Sequence, residues 1–330
     1  MPRAFWLTLL GVNASGAVAG AIYALREDVP ARAAAPIVAA FLLHISFYLV
    51  PGFPEVRRKL EDRFPPVRLA ALILAASLAP YLLYSLLTGV FRLAALLELA
   101  VICAIPAFVF VLWPTRHPGL TWQDLVAGGT IAAAVLGRAF PRIYLSPVEG
   151  LRVDSMGRFM ILALGATAFL SLRRLEGSGF QFRVSAEDWK AGLRQFGWFL
   201  PVGAALGWAT GFAAWRPAPV AAWAYPFLVL GTFLGIYAVV ALFEELFFRG
   251  VLQNLAAVSL GSAAAAQVVA AIAFGLSHLT FRDFPNWRFA LVSAVAGWFY
   301  GRAYRERRSV VASSIVHGLV VTTWRVLFSG

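Results

Sequence analysis

WAYPFLVLGTFLGIYAVVAL occupies residues 223–242, and FEELFFRG follows it at residues 243–250. The first stretch carries no charge and has the length of ~20 residues with which a helix crosses a bilayer. Residues 251–281, on the other side of FEELFFRG, also carry no Asp, Glu, Lys or Arg. The sequence therefore predicts membrane helices on both sides of a motif that holds two carboxylates and a guanidinium.

The composition indicates a membrane protein over the whole chain. The 330 residues are 61% hydrophobic and 13% charged, whereas a soluble domain carries about 25% charged residues. The apolar residues form long runs rather than the short alternating segments of a membrane β-barrel. We predict an all-α, polytopic transmembrane helical bundle of about 10–11 spans. The expected spans are 4–25, 33–51, 69–90, 94–113, 122–138, 156–172, 195–215, 223–257, 262–281, 288–304 and 310–328.

The formal net charge of +12 comes largely from short loops between apolar runs. Basic residues cluster in 52–68, 173–194 and 301–309. Lys and Arg concentrate in the cytoplasmic loops of membrane proteins, so these three loops are predicted to be cytoplasmic. This distribution argues against nucleic-acid binding, and the Arg- and Ala-rich composition favours a multi-pass protein of the bacterial inner membrane.

A polar segment at 173–194 divides the chain. It contains Gly177-Ser-Gly179, and Ser185 is followed by two acidic residues, as at the start of a helix. We predict an N-terminal transmembrane region at 1–183 and a second region at 184–330 that contains the polar motif. The helix after Ser185 is expected to begin with an interfacial part.

Three charges inside a membrane helix need an explanation, because each unpaired charge costs at least ~2.5–3.5 kcal/mol at the bilayer centre. Glu245 and Arg249 are spaced i, i+4 with the acid first, the favourable order for an ion pair. Glu244 points about 100° away from Glu245 on an ideal helix. It therefore needs its own partner or stays protonated, which makes it a candidate functional residue.

Histidines in the following helices are candidate partners of Glu244. Measured from the turn at 259–262, Glu244 and His278 lie at depths of ~21 Å and ~24 Å along two antiparallel helices, at 1.5 Å per residue. His317 lies in the last predicted span and provides a second imidazole. These residues are expected to form one intramembrane cluster.

A carboxylate beside a histidine can activate water as a general base, and the histidine can return the proton to a leaving amine. A further donor such as His317 could stabilise an oxyanion. These are the groups needed to hydrolyse an amide, so no cofactor is expected. The alternative is a zinc site with two His and one Glu, completed by Glu245 or water. The spacing differs from His-Glu-x-x-His and does not favour zinc.

Glu244-Glu245-x-x-x-Arg249, Phe274-x-x-x-His278 and a final-helix His317 together resemble the CPBP family. This family contains the CAAX proteases and bacteriocin-processing enzymes, also called the ABI family. The resemblance covers about 220–328. It implies that 184–330 is an intramembrane glutamic endopeptidase domain and that 1–183 is an added membrane region.

The resemblance also implies roles for single residues. Glu244 would activate water with His278, Glu245 and Arg249 would shape the site, and His317 would contribute to the oxyanion hole. The substrate would be a membrane-associated or lipid-anchored protein or peptide, cleaved close to the lipid bilayer.

The chain departs from the family pattern at Val321, where the family usually has Asn four residues after the last histidine. Valine cannot donate a hydrogen bond, so the second oxyanion donor is missing from its expected place. Trp324 and Thr322 are candidate substitutes. Three alternatives to the protease stay open: an inactive membrane scaffold or immunity factor, a zinc-dependent membrane protease, and a transporter. A transporter should show paired halves with interrupted helices, and none is found in the sequence.

Overall fold

A computed structural model describes residues 3–281 and 284–329, without the side chain of Ser329. The described chain is helical nearly throughout, which confirms the predicted all-α class. The β-structure in these residues is one two-residue antiparallel pair, β1 Ala214–Trp215 with β2 Phe328–Ser329. The long apolar runs thus fold as helices, as their length predicts.

The chain divides into two compact units. Over its described residues, the first unit combines Met1–Arg116 with Thr121–Leu175, and the second combines His117–Leu120 with Glu176–Gly330. The observed boundary lies between Leu175 and Glu176, whereas the division was expected between residues 183 and 184. The roles assigned to the two regions stay predictions.

Residues 176–183 are part of the second unit because their backbone is hydrogen-bonded to it. The Tyr304 hydroxyl donates to the Gly177 carbonyl at 3.0 Å. The Val310 N–H donates to the Gly179 carbonyl, also at 3.0 Å. Local composition could not predict these two hydrogen bonds, because the partners lie far apart in sequence.

The first unit consists of eight α-helices joined by short connections in the described residues. A 3₁₀ turn at Val50–Gly52 follows α2, and a π-helical turn at Ala168–Leu172 extends α8. The helices are α1 Arg3–Arg26, α2 Ala31–Leu49, α3 Pro54–Arg63, α4 Pro66–Thr88, α5 Leu93–Leu112, α6 Trp122–Leu136, α7 Ala139–Ile143 and α8 Ser155–Thr167.

The second unit contains the remaining helices. Its elements are α9 Ala186–Ala209, a 3₁₀ turn at Ala222–Ala224, α10 Tyr225–Ile236, π-helical Tyr237–Ala241, α11 Leu242–Glu245, π-helical Leu246–Gln253, α12 Asn254–Ser259, α13 Ala263–Leu276, α14 Trp287–Arg307 and α15 Val310–Leu327. The segments from α10 to α12 follow one another without a break, so Ala222–Ser259 forms one long helical segment.

Seven described helical segments are long and apolar enough to cross a membrane, which supports a multi-pass membrane protein. They are Arg3–Arg26, Ala31–Gly52, Pro66–Thr88, Leu93–Leu112, Ser155–Leu172, Ala222–Ser259 and Val310–Leu327. Each of the eleven predicted spans coincides with a helix. Only seven of these helices, among the described residues, are both long enough and apolar enough to cross a membrane. Trp122–Leu136 and Ala263–Leu276 are too short, and the other two, α9 and α14, carry several charges.

The predicted helix start at Ser185 is confirmed. Its hydroxyl accepts a hydrogen bond from the Asp188 N–H at 3.1 Å, and the Asp188 carboxylate accepts one from the Ser185 N–H at 2.9 Å. This reciprocal capping box satisfies two free amides of the first turn. The expected interfacial part is not a separate element, because α9 runs unbroken from Ala186 to Ala209.

Close packing of α13 on α14 determines where the site residues lie. A Cβ atom on Gly275 would come within 2.6 Å of the Ala290 carbonyl oxygen, so only glycine allows this approach. Phe274 and Tyr300 are buried in the same core. The two helices therefore bring an aromatic wall against the segment that contains FEELFFRG.

Candidate active site

The FEELFFRG motif lies where the long helical segment changes its winding. Glu244 and Glu245 end the short α11, which has π-helical turns on both sides, at Tyr237–Ala241 and Leu246–Gln253. Single π turns inside α-helices occur frequently at functional sites. The motif therefore lies at a local irregularity of the long helical segment.

The predicted ion pair between Glu245 and Arg249 is present. The two side chains are fully buried, with 3.1 Å between Arg249 Nε and Glu245 Oε2 and 3.2 Å between Arg249 Nη1 and Glu245 Oε1. Arg249 Nη2 also donates to the Gly297 carbonyl at 2.8 Å. A buried charge is tolerated when it is paired and hydrogen-bonded, so these contacts account for both charges.

Aromatic rings complete the surroundings of Arg249. Its guanidinium lies 4.9 Å from the ring centroid of Phe274 and 5.4 Å from that of Tyr300. Tyr300 and Gly297 were not predicted as site residues. The signal that could have found them is the small-residue spacing of Gly297 and Gly301 on α14, which is typical of close helix packing.

His317 connects the two acids. Its Nδ1 lies 2.9 Å from Glu245 Oε1, and its Nε2 lies 3.8 Å from Glu244 Oε2. Since a carboxylate only accepts, Nδ1 carries the proton in the neutral imidazole and Nε2 faces Glu244 as an acceptor. The Tyr300 ring stacks on His317 at 4.8 Å and 13°, which fixes the plane of the imidazole.

Glu244 differs from its neighbour in exposure. Its side chain is 35% exposed, whereas that of Glu245 is 0% exposed. The Oε2 atom of Glu244 is buried and faces His317, so the exposed part of this side chain is the rest of it. Glu244 is therefore the carboxylate that an incoming molecule can reach, while Glu245 is held by Arg249 and His317.

The expected direct pair of Glu244 with His278 is not the one that forms. Within the described residues, the imidazole that lies within 4 Å of the Glu244 carboxylate is that of His317. His278 lies two residues beyond the end of α13, and its Nδ1 is 2.8 Å from the Phe274 carbonyl oxygen. Because a carbonyl oxygen only accepts, the Nδ1–H group of His278 donates to Phe274, and Nε2 of the neutral ring is an acceptor.

His278 nevertheless lies beside the same aromatic wall. Its ring centroid is 4.7 Å from that of Phe274, and the Phe274 centroid is 5.6 Å from that of His317. On its other side the His278 ring contacts Phe289 at 4.7 Å. The structure thus brings together the five predicted site residues around Phe274, with Glu245, Arg249 and His317 in direct contact.

Neither candidate substitute for the missing donor forms a hydrogen bond or ring contact with the acids or His317 in the described part of the chain. Trp324 stacks on Phe212, with 4.5 Å between ring centroids. Thr322 is 3% exposed, and its hydroxyl has no hydrogen-bond partner among the described residues. These contacts therefore identify no side chain that replaces the hydrogen-bond donor missing at Val321.

The donor set does not fit a metal ion. No group of three or more His, Cys, Asp or Glu side chains arranged to hold a metal occurs among the residues that the structure describes. A catalytic zinc usually has three protein ligands, and His317 Nδ1 is already engaged by Glu245.

Residues 226–323 match the family model of the type II CAAX prenyl endopeptidases, described as Rce1-like. This stretch includes all five candidate site residues. It is a CAAX-protease-like region. The match confirms the resemblance predicted from the motifs and supports a protease role for the region.

The CAAX-protease-like region lies entirely within the second unit. No curated protein matches the chain, and no solved structure does. The match to residues 226–323 leaves the first unit outside it. The protease assignment therefore concerns the helices from α10 to α15.

Proposed function

We propose that the protein is an intramembrane endopeptidase that hydrolyses a peptide bond in a membrane-associated or lipid-anchored protein. The observation that carries this proposal is the contrast between the two adjacent acids. The Glu245 side chain is fully buried and ion-paired with Arg249, whereas the Glu244 side chain is 35% exposed and its Oε2 lies 3.8 Å from His317 Nε2. This arrangement suits a carboxylate that binds and deprotonates water.

In the proposed reaction, Glu244 accepts a proton from water, and the resulting hydroxide oxygen attacks the carbonyl carbon of the scissile bond. The C–N bond then breaks, and the proton passes to the leaving amine. The free Nε2 of His278 is a second acceptor that can share this proton. His317, when it carries a proton on Nε2, can donate to the oxyanion.

Glu245 and Arg249 act as positioning residues in this proposal. Glu245 fixes the tautomer and orientation of His317 through the 2.9 Å contact with Nδ1. Arg249 holds Glu245 and is itself anchored to the Gly297 carbonyl. A water-excluding wall of buried aromatic rings strengthens these electrostatic interactions.

The proposal is tested with purified protein in nanodiscs and fluorogenic peptides that end in a CAAX-type sequence, with and without a prenyl group on the cysteine. A third peptide presents an apolar, unmodified C-terminus. We expect Glu244→Gln to lower kcat at least ~100-fold, because general-base catalysis contributes about 10²–10⁴-fold. His278→Ala should lower it less, since His278 shares the proton rather than accepting it first.

The matched control is Glu98→Gln, which removes a carboxylate whose partner is exposed Arg142 in the first unit. This variant should cleave at the wild-type rate. Undiminished cleavage by Glu244→Gln would contradict the proposal. Loss of activity with a chelator, restored by zinc in stoichiometric amount, would favour the metal-dependent alternative.

A second candidate function rests on Val321. Because the expected donor is missing, the protein could be a non-cleaving relative that acts as a membrane scaffold or immunity factor. Failure to cleave all three peptides, combined with a biological function that survives Glu244→Gln, would support this alternative.

A further inference from the structure

A cavity of about 400 Å³ opens near the carboxyl end of α14, separate from the candidate active site. Its walls are Trp298, Arg302, Arg305 and Glu306. No residue of the candidate active site lines it. The cavity is therefore a feature that the proposed hydrolysis does not explain.

The charges around this cavity do not balance. Glu306 is already neutralised, because it forms an ion pair with Arg194 and accepts a hydrogen bond from Gln195 Nε2 at 2.5 Å. Arg302 is exposed and has no hydrogen bond or ion pair with another described residue. Together with Arg305, it leaves two positive charges at the cavity without an acidic partner.

Arg305 is held in place by neutral groups. Its Nη1 donates to Gln267 Oε1 at 2.9 Å. Gln267 is fully buried, and its own Nε2 donates to the Trp298 carbonyl at 2.9 Å. One edge of the guanidinium is thus fixed without loss of charge, and the remaining N–H groups can bind the oxygens of an anion in a fork geometry.

The position of the cavity indicates what kind of anion could enter it. It lies where the apolar part of α14 gives way to its basic last turns, at the predicted cytoplasmic boundary of the membrane. Residues 301–307, predicted as part of a loop at 301–309, are helical and belong to α14. Half-buried Trp298 occupies the level at which indole rings concentrate, between hydrocarbon and headgroups. The cytoplasmic leaflet is rich in anionic lipids, and basic pockets between membrane helices bind their headgroups.

We propose that this cavity binds the phosphate group of an anionic phospholipid. Arg302 and Arg305 contact the phosphate oxygens, and Trp298 packs against the glycerol part of the lipid.

The arginines also have two simpler explanations. Basic residues near the end of α14 complement the helix dipole, and basic residues are generally enriched on the cytoplasmic side of a membrane. Arg307 meets both explanations equally well but does not line the cavity.

Arg302→Gln and Arg307→Gln are therefore a matched pair that removes one exposed charge from the same helix. The full-length protein is purified in an uncharged detergent, and its unfolding midpoint is followed during titration with dioctanoyl-phosphatidylglycerol. Parallel titrations use dioctanoyl-phosphatidylcholine and inorganic phosphate. We expect a saturable rise with the anionic lipid, weakened roughly tenfold in apparent affinity by Arg302→Gln, as for loss of one charge-assisted contact.

Arg307→Gln should leave the apparent affinity unchanged, and both variants should unfold like the wild type without lipid. If Arg302→Gln is unstable, Arg302→Lys keeps the charge but removes the fork geometry, and it should bind more weakly than the wild type. Equal weakening by Arg302→Gln and Arg307→Gln, or an equal response to phosphatidylcholine, would overturn the proposal. If inorganic phosphate alone raised the unfolding midpoint as much as the anionic lipid does, the proposal that the bound phosphate belongs to a lipid would be wrong.

Discussion

Glu244 and Glu245 are adjacent in the chain, yet their carboxylates have opposite surroundings. Glu245 is fully buried against Arg249, and Glu244 is 35% exposed. Removing the charge of Glu245 leaves an uncompensated guanidinium inside the helix bundle, which costs about 3–5 kcal/mol. We therefore expect Glu245→Gln to destabilise the protein by about this amount, whereas Glu244→Gln should retain most of the stability. Thermal and denaturant unfolding in detergent measures both variants.

A double variant controls for the buried pair. Glu245→Leu combined with Arg249→Met removes both charges, and replacing a buried ion pair by apolar groups is often close to neutral. It should recover most of the stability lost in Glu245→Gln while staying inactive, because His317 loses its Nδ1 partner. Equal stability of the wild type and Glu245→Gln would contradict the buried ion pair.

Val321 marks the position where the family pattern has a hydrogen-bond donor. Removing one oxyanion donor lowers kcat by about 10²–10³-fold in a known protease. We expect Val321→Asn to raise kcat for the cleaved peptide by about tenfold or more, provided that no other side chain fills the role. Val321→Leu is the apolar control and should cleave like the wild type.

An unchanged rate in Val321→Asn would mean that another group already donates. Thr322→Val then decides whether the unpartnered hydroxyl of Thr322 is that group, because this change keeps the side-chain shape and removes the donor. A drop in kcat without a change in unfolding midpoint would identify Thr322 as the donor.

Some residue contacts of the site were predictable and others were not. The Glu245–Arg249 pair follows from i, i+4 spacing, and the structure shows it. The contact of His317 with Glu245 joins residues far apart in sequence, and Glu244 lies near the same imidazole. Ideal helix geometry placed the two carboxylates about 100° apart and therefore assigned Glu244 a different partner.

At the level of helices, the approach of α13 to α14 depends on Gly275. An alanine there would place its Cβ 2.6 Å from the Ala290 carbonyl and 2.6 Å from the Ala294 Cβ. Since a backbone atom cannot move aside alone, the helices must separate. We expect Gly275→Ala to lower stability by about 1–3 kcal/mol, as for overpacking, and to lower activity through displacement of Phe274.

Gly235 provides the matched control on α10, since no atom lies within 4 Å of its added Cβ. Alanine is the better helix former, so Gly235→Ala should be neutral or slightly stabilising in the same unfolding measurement. Comparable destabilisation by both substitutions would show that helix separation is not the cause.

Helix positions were predicted well because apolar runs of about 20 residues have few alternative structures in a membrane protein. The exact ends of the helices and the π-helical turns inside them were not predicted. His278 was expected late in a helix, but α13 ends at Leu276 and the backbone turns there. The π-helical segments at Tyr237–Ala241 and Leu246–Gln253 continue the long helical segment without a break, so the apolar runs in the sequence do not distinguish them from α-helix.

For the molecule as a whole, the predicted membrane orientation can be tested within the second unit. The native Cys103 is buried, so introduced cysteines can be labelled selectively. A cysteine at Arg307, the last residue of α14, should react with a membrane-impermeant maleimide only from the cytoplasmic side. A cysteine at exposed Ala221 should react only from the opposite side.

Labelling of intact spheroplasts against inverted vesicles provides the measurement, with Cys103→Ala as the background. Reaction of both cysteines from the same side would contradict the odd number of crossings, three, that is predicted between them. Reaction of each from the side opposite to the expectation would reverse the assigned orientation while leaving an odd number of crossings.

The last consequence concerns biogenesis. The contact between His317 and Glu245 joins residues separated by 72 positions, so the ribosome completes the acidic helix long before it makes the imidazole. During that interval Arg249 is the partner available to Glu245 within its own helix. The i, i+4 pair thus provides a neutralised segment for insertion by the translocon, and the nascent chain stays without an assembled reaction centre until α15 has entered the bilayer.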